Sequence, residues 1–363
     1  MLRHKRTSKL HKSVLCEWSQ IYWEFILKNE DKELDWSMIS NNPNMTWDII
    51  KNNLDKPWDW AFVSQNINIT WKIIILNPDI DWDWEAISCK ECITMEIIKN
   101  NIDKEWSWIY ISLNPNLTWN MIQEYPNKDW DWGYISFSNC ITWDIINNNL
   151  DKEWNWSKLS YNECITFDII KNNPDKNWSD MMVSHNPNIT MQIMKDNPDR
   201  CWELRQFITN PNITLDDIRN NQEFFFGSWD DLKVSRTPHI TLDFIHEMDG
   251  QWWNWAVITK APNITWDIIK SNINEPWELK FFSENPNITM DIIKDNPDNP
   301  WDWEKISENE FNKQKNDFIA NEYRRHLMAF RIQYRWRNAL VNPHCRIGIR
   351  KIERDMDFAG IEI

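Results

Sequence analysis

Residues 42–51 read Asn-Pro-Asn-Met-Thr-Trp-Asp-Ile-Ile-Lys, and variants of this stretch recur along most of the chain. Its threonine sets the register, because equivalent residues stand at 46, 70, 94, 118, 142, 166, 190 and 214, then at 241, 265 and 289. The spacing is 24 residues, with one step of 27 before Thr241. A degenerate first copy begins at Tyr22, so about twelve copies end near Asn312. A fixed period of this length predicts a stack of structural repeats.

Each copy is predicted to form two short helices. The register threonine is a good N-cap, and seven copies place Asp two residues later, where the helix dipole favours an acid. A second cap follows thirteen residues after the threonine and is Asp, Ser or Asn in ten of the twelve copies. The residue before this cap is Trp in eleven copies, Leu34 being the exception. Helices this short are unstable alone and persist only by stacking on neighbouring copies.

These patterns predict an all-α fold, an α-solenoid of about twelve short two-helix repeats over residues 22–312 with a C-terminal capping helix. Residues 1–21 are interpreted as a basic N-terminal segment, and residues 313–363 as a basic C-terminal capping helix and tail, with the helix over 317–341. A three-residue insertion near 222–228 interrupts the period. With helices spaced roughly 8–10 Å apart, an open stack would form a rod or arc about 100–120 Å long.

The charge is distributed unevenly. Residues 1–21 carry +4 and residues 313–363 carry +5, which leaves −24 on residues 22–312 because the whole chain carries −15. So acidic a body repels nucleic acid phosphates, and we expect no nucleic acid on it. No stretch is long and apolar enough to predict a membrane span. Seven scattered cysteines indicate a reducing, intracellular compartment.

The sequence offers no recognisable catalytic, cofactor or metal site. Five glycines provide no phosphate-cradling loop, and the seven histidines show no paired ligand spacing. Cys89 and Cys92 resemble half of a metal site. However, Cys92, Cys140 and Cys164 share a repeat position that is Asn in other copies, so we interpret them as turn substitutions. The tryptophan ladder is interpreted as core packing, in preference to a stacking platform for sugars or bases. We therefore predict a protein that is not an enzyme, with no cofactor.

Two departures from the repeat are candidate partner-binding sites. The insertion contains Phe224, Phe225 and Phe226, which either pack inward or form a protruding apolar loop that docks a partner. The C-terminal helix either caps the repeats alone or also binds a partner through its basic residues, which include Arg324, Arg325, Arg331 and Arg335.

The C-terminal helix also contains part of a known binding motif. Residues 332–337, Ile-Gln-Tyr-Arg-Trp-Arg, match the start of the IQ motif that calmodulin-like proteins bind. Asn338 and Asn342 stand where that motif has its later glycine and basic residue, so the match is partial. Terminal capping and calmodulin-like binding remain alternatives for this helix.

The motif Asn-Pro-Asn-Ile-Thr-Trp-Asp-Ile-Ile-Lys, seen at residues 42–51 and 262–270, resembles the Asn/Trp-rich repeat proteins that mimivirus-like giant DNA viruses encode in many copies. The stretch Phe330–Pro343 resembles the tail that often closes such proteins. The resemblance covers about residues 22–345. It implies a viral protein in the host cytoplasm, the viral factory or the virion. The leading hypothesis is a non-catalytic protein–protein interaction scaffold or adaptor. The alternative is a structural component of a virion or viral factory.

Overall fold

A computed structural model describes residues 2–221, 235–236, 240–248, 252–341 and 350. All regular secondary structure in these residues is helical, and it is arranged as tandem short helices, which confirms the predicted all-α solenoid. The chain divides into two compact units, one of Met1–Ile21 with Asn312–Ile363 and the other of Tyr22–Phe311.

The larger unit contains the repeats, and each copy contributes a helix A after the register threonine and a helix B after the second cap. Helix A spans Trp47–Lys51, Trp71–Leu76, Met95–Asn100, Trp119–Glu124, Trp143–Asn147, Phe167–Asn172, Met191–Asp196, Leu215–Asn220, Leu242–Glu247, Trp266–Ser271 and Met290–Asp295. Helix B spans Trp36–Asn41, Trp60–Gln65, Trp84–Ser88, Trp108–Ile111, Trp132–Phe137, Trp156–Leu159, Asp180–His185, Leu204–Phe207, Trp255–Lys260, the 3-10 helix Leu279–Glu284 and Trp303–Glu308. In the first copy, the end of a long N-terminal helix, Leu2–Lys28, takes the place of helix A.

The predicted caps form in most copies. The Thr46 hydroxyl accepts a hydrogen bond from the backbone N–H of Ile49 at 3.4 Å, and the Asp35 carboxylate accepts from the N–H groups of Ser37 and Met38 at 2.9 and 3.1 Å. Thr70 and Ser107 start helices without a side-chain cap bond. The short helices therefore begin where the sequence predicts, and tertiary packing holds those that lack a cap bond.

In eight copies, one asparagine and one tryptophan tie helix A to helix B. The Asn53 amide donates to the carbonyl of Ile49 at 2.7 Å, and the Asn53 carbonyl accepts the indole N–H of Trp58 at 2.7 Å. The same pair of bonds recurs at Asn77, Asn101, Asn149, Asn173, Asn197, Asn272 and Asn296 with the tryptophan five residues later. The indole thus buries its ring without leaving its N–H unsatisfied.

Indole rings also join one copy to the next. The first tryptophan of helix B meets, edge to face, the tryptophan that precedes helix B of the following copy, as in Trp36–Trp58 with ring centroids 5.4 Å apart. The arrangement recurs in Trp60–Trp82, Trp84–Trp106, Trp108–Trp130, Trp132–Trp154, Trp156–Trp178 and Trp255–Trp277. This geometry is favourable for aromatic pairs, which contribute about 0.5–1.5 kcal/mol beyond burial. The prediction that the tryptophans form the core is therefore consistent with their contacts.

A serine at the fifth position after the helix B cap links neighbouring copies through hydrogen bonds. The Ser40 hydroxyl donates to the carbonyl of Trp36 at 2.7 Å and accepts the backbone N–H of Asp59, the next copy's cap residue, at 3.0 Å. In other copies, too, the hydroxyl accepts the backbone N–H of the next copy's cap residue, at 2.9–3.3 Å. These hydroxyls belong to Ser64, Ser88, Ser112, Ser136, Ser160, Ser184, Ser235, Thr259 and Ser283.

The asparagine of the Asn-Pro turn adds a second set of bonds between copies. The side-chain amide of Asn186 lies buried and donates to the backbone carbonyls of Ser160, Asn162 and Ile165 of the preceding copy at 2.8–3.3 Å. The amides of six further asparagines donate to two or three carbonyls of the preceding copy: Asn66, Asn114, Asn162, Asn210, Asn285 and Asn309. We call this set the amide ladder. It satisfies helix-end carbonyls that would otherwise be buried without a partner.

The last copy makes these bonds to the first copy. The Ser307 hydroxyl accepts the backbone N–H of Asp35 at 3.0 Å, and the Asn42 amide donates to the carbonyls of Ser307 and Asn309, each at 3.2 Å. Helix B of the last copy packs on helix B of the first. The repeat unit is therefore a closed ring. The open rod or arc expected from the sequence is wrong, because the first copy covers the face that an open stack would leave exposed.

Aromatic residues of the first copy complete the closing interface. The Tyr22 hydroxyl donates to the carbonyl of Ser307 at 3.3 Å, and its ring lies 6.1 Å from that of Phe311. Phe25 stacks on Trp303 at 6.2 Å, where other copies place the tryptophan that precedes helix B. The first copy has Leu34 at that position, so a phenylalanine from the N-terminal helix supplies the aromatic partner. The interface between the last and the first copy thus uses different aromatic residues from the interfaces between other copies.

The ring has an inner and an outer layer. Helices B of neighbouring copies pack directly on one another, whereas helices A of neighbouring copies approach less closely in the described residues. In a closed ring the layer with the shorter spacing lies nearer the axis, so helices B form the inner wall. Twelve helices spaced about 8–10 Å apart give a wall roughly 30–40 Å across between helix axes. An α-helix, about 10–12 Å wide, fits within such an opening.

The smaller unit contains a pair of antiparallel helices. Its C-terminal helix spans Asn312–Val341, which confirms the helix predicted over 317–341 and extends it at its start. Trp18 of the N-terminal helix packs on Phe318 with ring centroids 5.7 Å apart, and the His11 ring nitrogen Nδ1 lies 2.6 Å from the Tyr323 hydroxyl. The sequence analysis described residues 1–21 only as a basic segment and missed their helical structure.

The amide ladder predicts that replacing a ladder asparagine destabilises the protein much more than replacing an exposed asparagine outside the ladder. Replacing Asn186 by Ala leaves three carbonyls in a buried interface without their donor, so we expect the free energy of unfolding to fall by about 2–4 kcal/mol. The side chain of Asn172, at the end of a helix A, is exposed and makes no hydrogen bond to the described residues. N172A should therefore change the free energy of unfolding by less than about 0.5 kcal/mol. Urea denaturation followed by circular dichroism measures both. Equal effects of the two substitutions would contradict the ladder.

Candidate functional site

Helix B has one position whose residue type hardly changes among the twelve internal copies and one whose residue type changes almost every time. The fifth position after the cap is Ser in ten of twelve copies, and this side chain is buried and bonded to the next copy. The sixth position carries eleven different residue types in twelve copies, and its side chains are exposed or half-buried. Two adjacent positions of one short helix thus differ: the residue type is nearly constant at the fifth position and varies from copy to copy at the sixth. Because helices B form the inner wall, the sixth position and the exposed second position line the inside of the ring.

Consecutive copies place an aromatic ladder on this wall. Phe137 and Tyr161 stack with ring centroids 5.3 Å apart and an angle of 7°, and Tyr161 stacks on His185 at 5.4 Å and 16°. All three residues occupy the sixth position of their copies. The Thr209 hydroxyl, at the same position of the next copy, lies 3.4 Å from Nδ1 of His185. We call Phe137, Tyr161 and His185 the aromatic ladder.

Exposed aliphatic side chains extend the apolar surface beside the ladder. Leu113 at the sixth position is 43% exposed, and Ile109 and Met181 at the second position are 40% and 44% exposed. Phe137 itself is 49% exposed, so half of its ring surface contacts solvent. Contiguous exposed apolar surface of this kind on a folded protein marks a contact site. The wall over copies four to seven is therefore the best candidate for a binding surface.

Charged residues occupy the equivalent positions in the last copies. The Lys260 ammonium lies 2.7 Å from the Glu284 carboxylate and 4.7 Å from the centre of the Phe281 ring. Lys280 lies 3.4 Å from the Asp302 carboxylate, and Lys280 is 62% exposed. The inner wall thus passes from apolar copies to copies that carry paired charges. A ligand on this wall would meet different chemistry on the two sides of the ring.

A groove of about 450 Å³ lies among helices B of the first four copies. Its walls include Asn41, Gln65, Glu85, Cys89, Lys90 and Tyr110. Its most unusual residue is Lys90, which is 8% exposed and stands at a ladder position where other copies have Asn. The Lys90 ammonium donates to the carbonyls of Ser64 and Asn66 at 2.8 and 2.6 Å, the same acceptors that a ladder amide takes. Burial lowers the pKa of Lys90 to about 8. Its role is a structural substitute for the amide.

The cysteines of the repeats lie in the positions expected from the register. Cys92 donates to the carbonyl of Ile69 in the preceding copy at 3.7 Å, in the place of a turn asparagine. Burial raises the pKa of Cys89, of Cys140 and, to about 11, of Cys164. A raised pKa keeps a thiol protonated and therefore a poor nucleophile and a poor metal ligand. Across the described part of the chain, no three His, Cys, Asp or Glu side chains lie close enough together to hold a metal ion.

The contact residues predicted from the sequence belong to other segments of the chain than the aromatic ladder. Phe224, Phe225 and Phe226 fall outside the described residues. The predicted arginines, Arg324, Arg325, Arg331 and Arg335, lie exposed on the C-terminal helix, and Arg325 pairs with Glu322 at 2.6 Å. The aromatic ladder was not predicted from the sequence, because Phe137, Tyr161 and His185 share a repeat position but no residue type. A comparison of residue variety at each repeat position would have indicated it.

The lowered pKa of Lys90 predicts that the free energy of unfolding of the protein depends on pH. A lysine whose pKa falls from its ordinary 10.5 to about 8 on folding opposes folding while it is charged, so stability is lowest below pH 8 and rises towards pH 10.5. Replacing Lys90 by Asn, the ladder residue, should raise the free energy of unfolding at pH 7 by about 2 kcal/mol, and this gain should shrink towards pH 10. Denaturation of both proteins across this pH range provides the measurement. A variant that is less stable at every pH would refute the assignment.

Comparison with known proteins does not assign the chain to a family. No family model, curated protein or solved structure matches it. Among the described helices, none combines the length and the apolar character needed to cross a membrane. The arrangement of the residues themselves therefore has to support any functional conclusion.

Proposed function

We propose that the chain is a non-catalytic protein-interaction scaffold or adaptor that binds a polypeptide on the inner wall of its repeat ring. The observation that carries this proposal is the contrast between the two adjacent positions of helix B. Repetition at the fifth position maintains the ring, and variety at the exposed sixth position gives each copy a separate contact residue. Repeat proteins bind partners through extended concave surfaces of this kind.

The aromatic ladder supports a protein rather than a nucleic acid as the ligand. Phe137, Tyr161 and His185 are accompanied by aliphatic residues, and aromatic residues with methionine are enriched in the cores of protein interfaces. Residues 22–312 carry a net charge of −24, which opposes the approach of a polyanion. The raised pKa values of the repeat cysteines and the structural bonding of Lys90 favour a binding role over catalysis.

Because the repeat motif resembles giant-virus proteins, we propose that this activity takes place in an infected host cell. A structural role in the virion or viral factory is the competing proposal, and the closed ring with its bonded interfaces supports it as a rigid building block. The two roles differ in stoichiometry. An adaptor is present at low copy number and binds particular host proteins, whereas a structural component is abundant in purified particles.

The proposal predicts that the aromatic ladder selects the partners. Replacing both Phe137 and Tyr161 by Ser should reduce the recovery of specific host proteins at least about tenfold in a crosslinked pull-down from infected cells, because two anchor residues are lost. Replacing Leu54 and Ile273 by Ser is the matched control, since these side chains are 62% and 71% exposed but lie after helix A. The control should recover the same partners as the original chain.

A proteome of purified particles measured beside the pull-down separates the two roles. Defined host partners that depend on the ladder, with little of this chain in particles, support the adaptor. High copy number in particles, with recovered proteins that are insensitive to the ladder substitutions, would overturn it in favour of the structural role.

A further inference from the structure

The second half of the C-terminal helix exposes an unusual concentration of large apolar side chains. Leu327, Met328, Phe330, Ile332, Tyr334 and Trp336 are all between 50% and 68% exposed. The first half of the same helix is different, because Phe318 packs on Trp18 and Tyr323 contacts His11. Six such side chains within ten residues form an apolar surface that a soluble helix normally covers. We call residues 327–337 the docking segment.

The apolar residues of the docking segment form two strips. At 100° per residue, Leu327, Phe330 and Tyr334 fall within one arc of the helix, and Met328, Ile332 and Trp336 fall within another. The centres of the two arcs lie on roughly opposite sides, about 170° apart. A helix lying on a flat membrane surface buries one side only. A partner that covers both strips has to enclose the helix.

The charge of this part of the helix restricts the partner further. Residues 323–341 contain five arginines, at 324, 325, 331, 335 and 337, and no Asp or Glu. Pairing of this helix with the same helix of a second copy would bring two basic surfaces together, which is unfavourable. An acidic partner would be complementary. Arg331 and Arg335 project between the two apolar strips, so the acidic groups of that partner would line the edges of its apolar grooves.

We propose that the docking segment binds an acidic, calmodulin-type protein that encloses the helix between two apolar, methionine-rich grooves. Such proteins take an amphipathic helix into a groove that calcium binding opens. The segment also contains Ile332, Gln333 and Arg337 in the spacing of the IQ motif. Because Asn338 and Asn342 replace the later residues of that motif, the two apolar strips supply the affinity, and the calcium-loaded form with open grooves is the binding form. This inference is independent of the inner wall of the ring.

The test uses the full chain and calcium-loaded calmodulin as the probe, measured by isothermal titration calorimetry at physiological salt. We expect one-to-one binding with a Kd of about 1 µM or tighter, lost when calcium is chelated. The paired substitutions Leu327→Glu with Phe330→Glu, and separately Ile332→Glu with Trp336→Glu, should each weaken binding at least about tenfold, since each pair disrupts one strip. All four side chains are exposed, so the fold should remain intact, which circular dichroism and thermal melting check.

Matched controls and alternative partners keep the inference falsifiable. Leu54→Glu with Ile273→Glu changes two exposed apolar residues outside the docking segment and should leave the affinity unchanged. Absence of calcium-dependent binding up to about 100 µM, or equal losses in the controls, overturns the proposal. Binding to vesicles of anionic lipid that needs only one strip, without calmodulin binding, assigns the helix to a membrane surface instead. Dimerisation of the chain that the same substitutions abolish assigns it to a second copy.

Discussion

The hydroxyl at the fifth position after the helix B cap, a serine in ten of the twelve copies, joins one copy to the next, and the ring depends on this contact. It donates to the carbonyl four residues earlier and accepts the backbone N–H of the following copy's cap, so it fixes both the helix that carries it and the position of its neighbour. A single bond of this kind contributes only about 0.5–1.5 kcal/mol. Repetition around the ring, together with the amide ladder and the edge-to-face indoles, makes short helices persist that would melt in isolation. Ring closure adds a further constraint, because the first and last copies, which would be the ends of an open stack, bond to each other.

This bonding scheme also determines which residues are free to serve in recognition. The fifth position of helix B is committed to the serine bond, and the turn asparagine is committed to the amide ladder. The side chain at the sixth position takes part in neither set of bonds, and its residue type differs in almost every copy. Variety among the internal copies at an exposed position, next to near-constant residue type at a buried one, is the pattern expected of the proposed partner-binding surface. The docking segment of the C-terminal helix lies outside the repeats in the sequence and has a different chemistry, basic and apolar, from that of the acidic repeat unit.

Much of the fold was predictable because the period, the caps and the turn residues are local signals. Thr46 and Asp35 cap helices as predicted, and the helix over 317–341 forms. Closure was not predictable from periodicity, because a period gives the structure of one interface and not the small rotation per copy that decides between a rod and a ring. The role of the turn asparagine in the amide ladder was not predictable, because its acceptors are carbonyls 21–26 residues away in the sequence. The helical structure of residues 2–21 was missed because these residues precede the first copy and carry no repeat signal. Of the predicted contact residues, only the arginines fall within the described chain, and the aromatic ladder was hidden because its members share no residue type.

The measurement that tests ring closure most directly is the distance between positions 41 and 308. These are the sixth helix B positions of the first and last copies, and spin labels can be attached there through a non-natural amino acid that does not react with the native cysteines. Double electron–electron resonance should give a distance distribution that overlaps that of a reference pair at positions 284 and 308, which belong to neighbouring copies. A separation several times larger than the reference, approaching the roughly 100 Å of an open stack of twelve copies, would contradict the closed ring.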